Sequence, residues 1–313
     1  METNAGFVRR YAAEAGFDLV GIAPARLLDR ESERLREWLS RGYNATMSWM
    51  ERNFEKRADP ARILEGATSV ISLAKNYYVP VSHAENSAKI SRYAWGDDYH
   101  VVIDKMLKTL VDKLRERFPG KRFTYYCDTG PVMDKAWAQR AGVGWIGKHT
   151  NVINREFGSW IFLSEVITDL VCEYDTEAAD HCGSCRACID ACPTEAIVAP
   201  YVLDANRCIS FLTIENRDDT IPTEFTPKLE NWLFGCDICQ DVCPWNVRFQ
   251  KPSDERAFSP REENLNLKAE DVHLMTREDF ARRFRQSPVK RAKYEGLRRN
   301  AEALSAASHP REK

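Results

Sequence analysis

Blocks of hydrophobic positions, spaced either as helices or as strands, run along the first half of the chain. Phe7, Val8, Tyr11, Ala12 and Ala15 recur at helical spacing, and Gly16 closes that helix. Residues 17–23 then read as a strand, and residues 31–39 as a charged helix ended by Gly42. Asp59-Pro60 has the cap and first-turn proline of another short helix. Residues 69–78 form a strongly apolar strand. Residues 93–100 (YAWGDDYH) are polar, aromatic and turn-like. In residues 101–118 apolar side chains fall at 103, 106, 107, 110, 111, 114 and 118, an amphipathic helix. A strand at 122–127, a helix at 132–141 and a strand at 158–168 follow. Helices and strands mixed in this way predict a sheet domain of the α/β or α+β kind. Residues 252–266 read as a linker and residues 270–305 as helical.

Composition narrows the picture little. The chain has 313 residues, room for two or three domains, and a formal net charge of −2. An anionic partner would have to be met by a local basic patch. Residues 1–17 carry Glu2, Arg9, Arg10 and Glu14 and no long apolar core, so they are not expected to be a signal peptide. No stretch approaches a membrane-spanning length. The expected compartment is the cytoplasm, with no membrane partner.

The cysteines change the picture most. Cys182-Gly-Ser-Cys185-Arg-Ala-Cys188-Ile-Asp-Ala-Cys192-Pro193 is the run that holds 4Fe–4S clusters, its fourth thiolate serving a second cluster. Cys236-Asp-Ile-Cys239-Gln-Asp-Val-Cys243-Pro244 repeats the pattern with one member missing, and Cys208 stands alone between the two. The balanced assignment puts Cys182, Cys185, Cys188 and Cys243 on one cluster and Cys192, Cys208, Cys236 and Cys239 on the other. Zinc, the competing metal, rarely uses three evenly spaced cysteines plus Cys-Pro. Cys127 and Cys172 are left over as small buried hydrophobes. Gly142-Val-Gly144-Trp-Ile-Gly147 matches a dinucleotide fingerprint, but a helix precedes it and the polar segment 148–151 follows. These glycines more naturally bring the backbone close to a flat ligand or make a tight turn. Two clusters with about 170 residues before them suggest a fused enzyme whose clusters feed a second redox centre.

TGPVMDKAWAQRAGVGWIGKH, HCGSCRACIDACPTEAIVAPYVLDANRCISFLTIEN and FGCDICQDVCPWN resemble the epoxyqueuosine reductases, cobalamin-dependent iron–sulfur enzymes of tRNA modification. YAWGDDYH and FARRFRQSPVKRAKYEGLRRN are similar too. The resemblance implies an α+β architecture in three parts: a cobalamin-binding catalytic domain at 1–177, a ferredoxin-like two-cluster domain at 178–248, and a helical basic region at 249–313. It implies electrons passed from an external donor through two 4Fe–4S clusters to cobalamin, and a monomer acting on tRNA that carries epoxyqueuosine in its anticodon. Many members continue into a further helical RNA-binding region, whereas this chain ends in the polar tail SAASHPREK, so weaker tRNA binding is one expectation.

Asp134 matches the family's proton donor. A carboxyl group against an apolar ring would be desolvated and keep its proton. The plainer role is a helix cap or a salt bridge beside Lys135. Arg57, Asp97, Asp134, His149, Thr150, Asn154, Ser159, Ser210 and Asp237 are the expected cofactor contacts, with Gln240 and Asp241 as further candidates near the clusters. For RNA, residues 279–300 hold eight basic residues against two acidic ones. Among them Arg282, Arg283, Lys290, Arg291, Lys293 and Arg298 are the expected phosphate contacts, with Arg285 and Arg299 in the same run. Tyr93, Trp95, Tyr99 and Trp145 are candidates to stack on a flipped base. Two other functions fit the residues less closely: a reductive dehalogenase-like cobalamin enzyme, and a non-catalytic ferredoxin-type electron-transfer module.

Overall fold

The computed structural model describes residues 2–308. Helix α1 (Asn4–Glu14) starts where the Thr3 hydroxyl accepts from the Gly6 amide, and it buries Ala5, Val8 and Ala12. Strand β1 (Leu19–Pro24) pairs antiparallel with β2 (Ser69–Asn76). β2 pairs antiparallel with β4 (Ile161–Thr168), whose other edge takes β3 (Phe123–Tyr126), again antiparallel. The order β1-β2-β4-β3 gives a wholly antiparallel sheet, so the class is α+β.

Both faces of this sheet are covered. Helix α2 (Tyr99–Arg117) and α1 pack on one face against Ile71, Leu73, Phe162 and Val166. Helix α3 (Asp134–Arg140) packs on the other against Val70, Ala74, Ile161 and Ile167. Double coverage explains why every residue of β2 is buried, Ser69, Ser72, Lys75 and Asn76 included, and why its apolar residues fall on both faces.

The cysteine-bearing segment is built from one-turn helices, Ala187–Asp190 and Ile238–Asp241, and a hairpin of Ile197–Ala199 with Val202–Leu203. A second core joins Ile90 and Trp95 to Ile209, Leu212, Leu233 and Phe234, and these to Phe284, Leu297 and Leu304 near the C-terminal end. Strand β5 (Trp232–Phe234) pairs with the two-residue strand Lys89–Ile90 inside it.

Two expectations need correcting. Residues 252–266 are a packed strap and not a free linker: the Ser253 amide donates to Tyr78 at 2.7 Å, Arg261 to Trp95 at 3.1 Å, and Phe258 is buried against Phe162. The C-terminal helical stretch is broken into Ala269–Leu274, Arg277–Arg283 and α4 (Lys293–Ser308). A capping box of Thr276 with Asp279 starts one piece, and Pro288 opens a 3-10 turn before the last. The glycine-rich run turns out to be a hairpin, Trp145–Ile146 against Val152–Ile153. A Cβ on Gly144 would lie 2.4 Å from the Ile153 carbonyl oxygen, so the close approach is to protein backbone and not to a ligand.

Candidate active site and two cysteine-lined cavities

The eight cysteines of the two runs fall around two separate cavities. Cys182, Cys185, Cys188 and Cys243 surround one of about 90 Å³. Cys192, Cys208, Cys236 and Cys239 line a chamber of about 420 Å³ whose opposite walls come from the sheet domain: Tyr77, Tyr93, Tyr99 and Phe162. Among the described residues, no group of three His, Cys, Asp or Glu is placed to hold a single metal ion. The chamber shares Tyr93, Tyr99, Asp128, Lys135, Cys208 and Ser210 with a wider basin of about 1130 Å³.

Asp134 begins α3 and faces the chamber. Burial raises its carboxyl pKa, Asp128 raises it further, and a hydrogen bond with Glu165 and the charge of Arg57 pull the other way. Its Oδ1 is buried without a donor. The alternative roles fail locally: no cap bond is made at the start of α3, and Lys135 sends its ammonium to Asn151 Oδ1 at 2.9 Å instead of to Asp134. Enclosure lowers the pKa of the Lys135 ammonium, although cavity solvent reaches it.

His149 borders both cavities. Its Nδ1 accepts from the Asn151 amide at 3.2 Å, which puts the proton on Nε2, and that nitrogen is buried with no protein partner. Burial holds its pKa down to about 4, so the ring is neutral. At the chamber mouth the Tyr99 hydroxyl donates to Asp128 Oδ2 at 2.5 Å, and His100 lies between Asp98 at 2.8 Å and Asp128 at 3.6 Å. Burial pushes His100 down, but the two carboxylates outweigh it and lift its pKa to about 9.

Of the other expected contacts, Thr150 and Ser210 line the chamber, and Arg57 lines the basin with its Nε unpartnered. Gln240 also lines the chamber, accepting from Asn151 Nδ2 at 3.2 Å. Four candidates are spent on the fold. Asp97 is paired with Arg261 at 2.7 Å. Asn154 donates to the Val143 carbonyl at 2.5 Å, and Ser159 Oγ accepts from Asn246 at 2.9 Å. Asp237 accepts from Ser91 Oγ at 2.5 Å and the Arg92 amide at 2.8 Å, and so anchors the Cys236–Cys239 loop. Asp241 faces Arg92 at 3.7 Å.

The basic run is likewise divided. Lys290 and Arg291 reach the basin, whereas Arg282, Arg283 and Arg285 line a different groove of about 970 Å³. Lys293 and Arg298 are exposed on or beside α4. Arg299 is buried and donates to the carbonyls of Leu212, Asn216 and Asp218, so it ties loops together and meets no phosphate. Trp95 and Trp145 are core residues, leaving Tyr93 and Tyr99 at the chamber. The sequence reading passed over Glu165 and Lys148. A lone acid among the apolar residues of β4 was the available signal for the first.

Residues 181–246 match the family model for the 4Fe-4S double cluster binding domain, so fold and cavities together define a two-cluster iron–sulfur protein with an acid-bearing chamber against one cluster. Residues 57–129 match the model described as Epoxyqueuosine reductase QueG, DUF1730. The epoxyqueuosine reductase of Cellulophaga algicola is 46% identical over 303 residues, 97% of this chain and 98% of that one. That of Synechocystis is 47% identical over 288 residues, 91% and 99% of the two chains. The chain belongs to the epoxyqueuosine reductase family. A crystal structure of an epoxyqueuosine reductase with a tRNA-Tyr epoxyqueuosine-modified stem loop superposes with a TM-score of 0.90 at 33% identity, covering 96% of this chain and 80% of that one. The structure from Streptococcus thermophilus gives 0.87 at 32%, covering 97% and 81%. Among the described residues no helix is long and apolar enough to cross a membrane.

Proposed function

We propose that the chain reduces epoxyqueuosine to queuosine at the wobble position of tRNA, using two 4Fe–4S clusters and a cobalamin seated where the chamber opens into the wider basin. The observation that carries the reading is the convergence of Cys192, Cys208, Cys236 and Cys239 on the same chamber as Asp134. An electron relay and a proton source then border one enclosed space. The relative crystallised with a modified tRNA stem loop supports the substrate class. That substrate class and the need for reduced thiolates support a cytoplasmic reaction.

Removing an epoxide oxygen takes two electrons and two protons and releases water. Cobalamin, when bound, supplies a strongly reducing metal centre able to cleave a carbon–oxygen bond. The protein's residues do the rest. Cys182, Cys185, Cys188 and Cys243 would hold the cluster farther from the chamber, and the other four would hold the nearer one. Asp134 keeps a proton because it is buried, and delivers it to the departing oxygen. Tyr93, Tyr99 and Phe162 exclude water. The unpartnered donors His149 Nε2 and Arg57 Nε suit the amides and carbonyls that fringe a corrin, and Thr150 and Ser210 add hydroxyls. Residues 1–177 thus carry the chamber's acid, 178–248 the relay, and Lys290 and Arg291 from 249–313 the edge of its entrance.

The test is anaerobic reconstitution of the full chain with iron, sulfide and cobalamin, followed by reaction with epoxyqueuosine-containing tRNA under a chemical reductant. Queuosine should form, and only with both metal centres present. Protein loaded with clusters that neither shifts the cobalamin spectrum nor converts the tRNA would overturn the reading.

A further inference from the structure

Glu165 is a buried acid that the reaction outlined above leaves unused. It sits on β4 with none of its surface exposed. The strand period puts it on the same face as Ile161, Leu163 and Ile167, beneath α3. Ser72, its register partner on β2, donates from Oγ to Glu165 Oε1 at 3.3 Å. The other oxygen, Oε2, has no donor, and neither has Asp134 Oδ1. The two carboxyl groups are close neighbours, each acting on the other's proton affinity, and their unpartnered oxygens are both buried. Carboxylates only accept, so a bond between two of them requires a proton on one.

Position decides which one carries it. Asp134 opens onto the chamber, whereas Glu165 is sealed behind it. The other groups facing the pair are Asp128 and Cys127 at the end of β3, Arg57 from the helix Phe54–Ala58, and Lys135 next along α3. Arg57 and Lys135 act on Asp134, while Asp128 opposes charge on both acids. Burial and the neighbouring Asp134 hold the Glu165 carboxyl well above its ordinary range.

We propose that Glu165 is a positioning residue for the reduction: it stays a neutral carboxylic acid and donates a hydrogen bond to Asp134 from behind the chamber wall. The bond orients Asp134 toward the chamber. It also stabilises the carboxylate left when Asp134 gives its proton to the substrate oxygen; Glu165 keeps its own proton throughout. The inference rests on the role of Asp134 given above.

The test compares Glu165→Gln, Glu165→Leu and Asp134→Asn in the full chain loaded with clusters and cobalamin. Infrared difference spectra at neutral pH, recorded without substrate, should show two protonated carboxylic acid bands from the pair: one that Glu165→Gln abolishes and Asp134→Asn retains, and one from Asp134 with the opposite response. A glutamine can still donate to Asp134, so Glu165→Gln should keep its turnover within about threefold of the wild type. Glu165→Leu removes the donor, which weakens Asp134 as an acid. Its rate should fall about tenfold and the basic limb of its pH profile should move to higher pH, since a bond to a charged group is worth that much. Cobalamin absorption and the thermal midpoint report whether Glu165→Leu is folded and loaded. Persistence of both bands in Glu165→Gln overturns the assignment whatever happens to tRNA conversion, and so does an unmoved pH profile in folded, loaded Glu165→Leu. A failure of the reduction itself would leave the Glu165 band intact.

Discussion

The ammonium of Lys148 donates to the carbonyl oxygen of Cys185 at 2.8 Å, and a second bond at 2.6 Å reaches Gly183. A buried lysine is thereby clamped onto the loop that carries Cys182 and Cys185. Its charge lies against the cavity assigned to the farther cluster.

Replacing Lys148 with Met should therefore act on that cluster alone. Two carbonyls lose their donor, at a cost of about 1–3 kcal/mol each, and the loop loosens. The nearby positive charge favours the more negative, reduced cluster, so its loss should lower that cluster's reduction potential. A redox titration followed by electron paramagnetic resonance separates the two clusters. Equal shifts in both, or none, would show that Lys148 does not serve one site.

Substitutions at Cys208 and Cys243 test the partition of the ligands. Cys208→Ser should damage the chamber cluster, and Cys243→Ser the smaller site, each removing about half of the iron. Only Cys208→Ser should disturb the absorption of bound cobalamin, because only Cys208 lines the chamber. The same spectroscopic defect in both variants would mean that the two cavities are not independent sites.

Asp134→Ala should lower turnover by 10²–10⁴-fold, the usual contribution of a positioned general acid. Clusters and cobalamin should still load, since no cysteine bonds to Asp134 and the side chain makes no cap. Single-turnover conversion of modified tRNA gives the rate. Full activity would remove Asp134 as donor.

The cysteine spacing made the relay legible, because cluster ligation is written in local sequence intervals. The α+β class was legible too, since buried strands and amphipathic helices carry their period on the surface of the sequence. What escaped was decided by partners far away in the chain. Asp97 looked like a cofactor contact until Arg261 claimed it, and Asn154 and Ser159 are held by Val143 and Asn246. Arg299 is indistinguishable from Arg298 in a basic run, yet one is buried among carbonyls and the other exposed. Residues 252–266 are polar enough to read as a linker, but Phe258 pins them to the core. Glu165 could have been noticed as an acid inside an apolar strand, but its neighbour Asp134 belongs to a different element.

The chamber mouth should make stability depend on pH. The His100 pKa is lifted from 6.5 to about 9, because Asp128 and Asp98 overcome the effect of burial. A raised folded-state value means that the stabilisation is complete below pH 6.5 and is lost as pH rises through 9. Thermal midpoints of wild type and His100→Gln should therefore differ most below pH 6.5 and converge above 9. Parallel curves across that window would exclude an imidazolium at this position.

The basin edge makes a separable prediction for RNA. Lys290 lines the basin, and among the described residues it has no ion-pair partner. The neighbouring Arg291 is held in a two-pronged bond by Glu215, at 2.7 and 2.9 Å, and lies 5.3 Å from the Trp49 ring. Neutralising Lys290 removes one net charge that a phosphate can use. Lys290→Ala should weaken tRNA binding and reduce the slope of log affinity against log salt by about 0.7–0.9. Arg291→Ala does more than remove a cation, because it uncovers the Glu215 carboxylate at the entrance and should weaken binding further. Removing both members, Arg291→Ala with Glu215→Ala, leaves the local charge unchanged and should bring the salt slope back close to that of the wild type. Fluorescence anisotropy with an anticodon stem loop at several salt concentrations checks all three variants. If Lys290→Ala keeps the wild-type slope while Arg282→Ala loses it, the RNA runs along the groove lined by Arg282, Arg283 and Arg285 instead of over the basin.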